Sequence, residues 1–166
     1  VISSLEYYQA GAAHLNPGGV MMQWTPYGGS VDEFLDHIRT FRAVFPNVIV
    51  AFGPGGYGFF LIGSDQPLAF TEASMRDVLG RPGILEDMSS AYDSPETTAD
   101  GWIRRINSLL WIQGGDVDRV VGSGALITDD HPLPEYWLLR RLFGDHSPRL
   151  SPQELFRLAR PTAPAG

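Results

Sequence analysis

Few residues in this sequence have the type and spacing to do chemistry. Asp129-Asp130-His131 sets two carboxylates beside an imidazole, and such hard oxygen and nitrogen donors bind divalent metal ions. Adjacent side chains seldom converge on one ion, however. The same run before Pro132 suits a turn in which the Asp side chains accept backbone N–H bonds, so no metal site is expected. His14, His37 and His146 have no Ser/Asp or Cys companion at a hydrolase spacing and read as surface histidines. Gly53 to Gly58 could approach a phosphate through its amides. It lies between two strands instead of opening a helix, and so suits a lid or a hairpin turn better than an anion site. All twelve basic residues are arginine, which excludes a lysine Schiff base and a P-loop lysine, and the lack of cysteine excludes a thiolate nucleophile or zinc site.

The elements that must position these residues follow from periodicity and caps. Leu5, Tyr8, Ala12 and Leu15 are spaced as a helix over Ser3 to Asn16, which Pro17-Gly18-Gly19 stops. Of the adjacent Tyr7 and Tyr8, one is expected to face the core. Val20 to Trp24 has the length and apolar content of a buried strand, and Thr25 to Gly29 opens a loop at its carboxyl end. Ser30-Val31-Asp32-Glu33 is a capping box, and Val31, Phe34, Leu35, Ile38, Phe41 and Phe45 then share one helix face until Pro46. Val48 to Phe52 and Tyr57 to Ser64 read as two strands joined by a short glycine loop, an antiparallel pair. Helices are expected from Thr71 through Leu79, over Glu96 to Ile112, over Pro134 to Phe143 and over Pro152 to Arg160.

The order helix, strand, helix, strand, strand implies an α/β fold: a sheet with parallel strands and an antiparallel strand at or near its edge. Residues 1–68 form this half-sheet, 69–160 a helical appendix and 161–166 a disordered tail. The chain has 166 residues, 43% hydrophobic, which is enough for one ordinary core. Its formal charge of −7 repels phosphate backbones and anionic lipid, so nucleic acid is not an expected partner. No apolar run approaches the ~20 residues of a membrane-spanning helix. A soluble, cytoplasmic domain is expected. Val1 without a Met reads as an internal point of a longer protein.

Glu6-Tyr7-Tyr8, Leu15-Asn16-Pro17-Gly18-Gly19-Val20, Gln23-Trp24, Val44-Phe45-Pro46-Asn47-Val48 and Gly58-Phe59-Phe60-Leu61-Ile62-Gly63-Ser64 fall at a spacing that resembles the second half of the spermidine synthase family. Thr128-Asp129-Asp130-His131-Pro132 resembles the Thr-Asp-Asp-x-Pro segment of the bacterial branch fused to a membrane transporter-like region. The resemblance implies the C-terminal half of a Rossmann-like, S-adenosylmethionine-dependent transferase sheet ending in an antiparallel hairpin. It also implies aminopropyl transfer from decarboxylated S-adenosylmethionine to an amine. The family's glycine-rich cofactor loop and its catalytic carboxylate have no counterpart here and are expected upstream of Val1. This stretch alone is therefore expected to bind no cofactor and to be inactive.

For the amine pocket the resemblance implies Gln23, Trp24, Tyr27 and Tyr57. Gln23 falls at or next to a family glutamine whose carboxamide oxygen accepts from an ammonium without adding charge. The family loop that reads Pro-x-Tyr-Pro-Ser-Gly is Ala51-Phe52-Gly53-Pro54-Gly55-Gly56 here, with glycine at the tyrosine position and Tyr57 four residues on. The family's Gln-Gly-Glu acid is replaced by Trp24-Thr25-Pro26-Tyr27. A homodimer and an upstream membrane region are further partners the resemblance allows. Two other readings stay open: the end of an S-adenosylmethionine-dependent methyltransferase, and a non-catalytic interaction module of the same fold.

Overall fold

The computed structural model describes residues 2–26, 30–52, 58–68, 71–91, 96–108 and 111–144. The chain divides into two compact units, Val1–Leu68 with Leu110–Gly166, and Ala69–Leu109. The expected helix Pro152 to Arg160, the tail 161–166 and His146 lie outside the described residues.

The first unit is built on a four-stranded sheet. Helix α1 (Leu5–Ala13) starts where the Ser4 hydroxyl accepts from Tyr7 N at 3.1 Å. It is followed by strand β1 (Val20–Thr25), helix α2 (Val31–Val44), and strands β2 (Asn47–Phe52) and β3 (Phe59–Ser64). The capping box of α2 is formed: Ser30 N donates to Glu33 Oε2 at 2.7 Å and Glu33 N donates to Ser30 Oγ at 3.3 Å. Pro46 then ends the helix, as its missing N–H requires.

Strand order is β1-β3-β2-β4, with every hydrogen-bonded pair antiparallel. This corrects the expected placement of the antiparallel strand. β3 lies in the middle, pairing Val20 with Ser64 on one side and Asn47 with Ser64 on the other. β1 and β2 therefore run in the same direction without touching. The chain reverses after β2, and β3 is the strand that satisfies the backbone of both neighbours.

A second correction concerns Trp111 and Ile112, expected at the end of a helix. Helix α5 (Ala99–Ser108) stops earlier, and Trp111–Gln113 forms strand β4, paired with β2 through Val50 and Ile112. Ile112 is buried in the core and pairs with Val50, and this tertiary pairing overrides the helical periodicity that Trp102, Ile103 and Ile106 follow in α5. Residues 111–144 thus return to the sheet unit through β4, helix α6 (Gly115–Val121), a 3₁₀ turn (Leu133–Tyr136) and helix α7 (Trp137–Leu142).

One sheet face and α2 make the core. Phe34, Ile38, Phe41 and Phe45 pack on Val48, Val50, Phe52, Phe59 and Leu61. Tyr8 of α1 is wholly buried, edge-on to Phe41 with ring centroids 4.9 Å apart, whereas Tyr7 is partly exposed. A return segment locks this layer. Arg39 donates to Val121 O (2.6 Å) and Ala125 O (3.2 Å), Ile127 N donates to Thr40 Oγ1 (2.9 Å), and Leu5 N donates to Ile127 O (2.8 Å).

The second unit holds α3 (Glu72–Leu79), α4 (Ile84–Ala91) and α5 around Met75, Leu79, Trp102 and Ile103. Arg76 bridges Glu72 (2.8 Å) and Asp100 (2.6 Å) on its surface. No helix among the described residues is long and apolar enough to cross a membrane.

Gly63 leaves no room for a side chain under the helix layer, because a Cβ there would stand 2.6 Å from Phe45 Cγ and in conflict with Phe41 as well. Two buried aromatic rings, one from α2 and one from its C-cap, cannot both yield. Gly63→Ala should therefore lower stability by about 1–3 kcal/mol in urea denaturation, the usual cost of overpacking. An unchanged midpoint would show that the helix is free to lift.

Candidate functional site

Sequence reasoning points to the carboxyl end of β1. Gln23 and Trp24 are adjacent in an extended strand, so their side chains leave on opposite faces of the sheet. Gln23 shares the α2 face with the partly buried Met21 and the buried Thr25, while Trp24 lies on the other face with Val20 and Met22. The structure therefore separates the two expected pocket residues. Tyr27 and Tyr57 lie outside the described residues, as does most of the glycine loop, Gly53 to Tyr57.

The Gln23 side chain is oriented by its own backbone. Its Nε2 donates to the Trp24 carbonyl at 2.7 Å, which leaves Oε1 without a partner among the described residues. A group so placed offers an acceptor and selects donors, ammonium included, over anions. Trp24 stands opposite Phe60 of β3, with its indole against Gly58. Gly58 has φ +123°, and a Cβ there would stand 2.6 Å from Trp24 Nε1. Only glycine fits both the backbone and the indole.

The amino end of α2 carries a partly buried ion pair. Glu33 accepts from Arg140 of α7, and Arg140 also donates to Leu133 O at 2.8 Å. With Ser30 N on its other oxygen, Glu33 has both oxygens engaged and is not a free base. The capping box marked Glu33 as a structural acid. Its partner, 107 residues further on, carries no local signal. Thr25 was also missed: it is buried and its hydroxyl has no partner among the described residues.

The Asp129-Asp130-His131 run forms a turn, but its closing acceptor is Thr128 in place of the Asp side chains. His131 N donates to Thr128 O (3.0 Å) and Oγ1 (3.2 Å), while Asp129 N donates to Glu6 Oε2 (3.1 Å). The threonine hydroxyl, three residues back, reaches the amide that the carboxylates do not. Among the described residues no three His, Asp or Glu side chains are grouped to hold a metal ion.

Of the histidines, His14 is exposed, its Nδ1 2.7 Å from Ala10 O. His37 corrects the expectation of a surface residue. Its ring is only partly accessible, and its Nδ1 is sealed from solvent without a partner among the described residues. Burial pushes its pKa down to about 4. The Tyr8 hydroxyl is pushed up to about 12 by burial. The Ser3 side chain opposes that rise without making a hydrogen bond of ordinary geometry to the hydroxyl, and Tyr7 reinforces it. Asp36 beside Arg39 is raised as well, because burial outweighs the guanidinium.

The His37 shift fixes the sign of a pH effect. The unfolded chain takes up the proton first, so stability present above pH 6.5 is lost as pH falls toward about 4. The loss is on the order of 2–3 kcal/mol. Asp36 acts with opposite sign, since a raised carboxyl favours the fold as it protonates. Thermal unfolding followed across this range should show His37→Leu flattening the acid limb. An unaltered limb would place the acid sensitivity elsewhere. Compared with protein-family models, curated proteins and solved structures, the chain matches none of them.

Proposed function

We propose that this chain is the far side of a spermidine-synthase-like transferase sheet, with the carboxyl end of β1 forming part of an amine pocket. The reading rests on the resemblance carried by Leu15 to Val20, Gln23-Trp24, Val44 to Val48 and Gly58 to Ser64. One structural observation supports it: β1 and β2 run in the same direction, joined by α2, with β3 returning between them. A strand, a helix and an antiparallel strand pair is also how the resembled domains end. Ligands of open α/β sheets bind beyond the carboxyl ends of co-directional strands, which is the end where Gln23 and Thr25 lie.

In the proposed reaction an amine nitrogen forms a bond to the aminopropyl carbon next to the sulfonium. The carbon–sulfur bond breaks, the thioether leaves with the electron pair, and a carboxylate outside these 166 residues takes the amine proton. The role of this chain is to orient the amine. Gln23 Oε1 accepts from its ammonium, and the chain's acidic balance favours cations at long range.

The test is aminopropyl transfer by the full-length protein from decarboxylated S-adenosylmethionine to 1,4-diaminobutane, followed through the thioether product. Activity is expected. Gln23→Ala should raise KM for the amine about tenfold with kcat nearly unchanged, the pattern of a lost ground-state hydrogen bond. No transfer by the full-length protein, or an unchanged KM, would contradict the assignment.

A further inference from the structure

The opposite end of the same strands holds a cleft of different character. β1 and β2 begin there and β3 ends there, since Val20 and Asn47 both pair with Ser64. Gln23 lies three residues along β1 from Val20, about 10 Å from this end of the sheet. Its volume is about 200 Å³, room for a molecule of a few heavy atoms. Ala12, Leu15, Val44 and Phe45 provide apolar walls, and Asn16 and Asp65 provide the polar groups.

Every fixed source of charge along this lining is negative. Asp65 Oδ1 accepts from Gly18 N at 3.2 Å, which holds the carboxylate in place, while the Ser64 hydroxyl donates to Gly19 O at 2.9 Å. Its Oδ2 has no partner among the described residues. α1 ends at Ala13 and α2 at Val44, so the carboxyl ends of two helices, each with partial negative charge, meet at the cleft. Arg42 comes near through its bond to Phe45 O (3.3 Å), but its charge is matched by Asp118 at 2.9 Å. Arg39, one turn earlier on α2, is paired with Asp36.

A hard metal ion would need several oxygen ligands, and this cleft offers one carboxylate among hydrocarbon walls. An anion would meet Asp65 and two helix carboxyl ends. The combination selects a short hydrocarbon chain bearing one cationic head. We propose that the cleft is a binding site for a small primary alkylammonium ion. Its ammonium sits on Asp65 Oδ2 and the Asn16 carboxamide, and its carbon chain lies on Leu15, Val44 and Phe45. The site is independent of the transferase reading, because neither Gln23 nor the carboxyl ends of β1 and β2 take part.

The probe is n-butylammonium, with n-butanol and butyrate as controls, titrated into the full 166-residue chain and followed by amide NMR. Saturable shifts are expected at Leu15, Gly18, Phe45 and Asp65 with the ammonium, weakening as salt is raised. Neither control should match its affinity. Asp65→Asn should weaken binding about fivefold, the factor an exposed ion pair supplies. Because that change also touches the Gly18 turn, Ala12→Met is the second variant. It fills the cleft, leaves Asp65 intact and should abolish the shifts. Absence of saturable shifts, equal affinity for either control, or binding retained in full by either variant would overturn the proposal.

Discussion

The contact of two rings, Phe41 of α2 and its C-cap Phe45, with the bare backbone of Gly63 on β3 sets the geometry of the sheet unit. It lets the helix sit close against the middle strand, where Val50, Phe59 and Leu61 close the core around Phe34 and Ile38. Dispersion and burial both gain from that approach. β1 and β2 flank β3 and run in the same direction, and the two ends of the sheet are chemically distinct.

At the carboxyl end of β1, extended geometry assigns Gln23 and Trp24 to different faces, so only Gln23 shares a side with the α2 layer. The layer behind it is fastened by Glu33 and Arg140, and further along α2 by Arg39 and Thr40 gripping the returning backbone. These bonds draw on residues far apart in sequence and hold α1, α2 and α7 as one layer. At the amino end two helices stop at the same place, and a carboxylate anchored by the Gly18 turn faces an apolar cleft. One end thus offers a neutral acceptor and the other a fixed negative field.

Local signals in the sequence were sufficient where local physics decides. The Ser30 capping box, the phenylalanine stripe and the Pro46 stop define α2 because each acts within one or two helical turns. β2 and β3 were legible from their apolar content and the glycines between them. The position of β3 was not, since a hairpin signal says that two strands pair and nothing about which neighbour the second one takes on its other edge. Trp111 and Ile112 misled for the opposite reason: a helical spacing was present, but pairing with β2 rewarded extension more. At the candidate site the sequence did not disclose that Gln23 and Trp24 leave the strand on opposite faces. His37 looked like a surface residue because nothing in its neighbours announces that Nδ1 will be sealed.

The most direct measurement of the central claim is a set of cross-strand NOEs in solution. With β3 in the middle, Ile62 should show contacts both to Met22 of β1 and to Ile49 of β2, which face it from either side. Direct contacts between Met22 and Ile49, with none from Met22 to Ile62, would place β1 beside β2 and contradict the account.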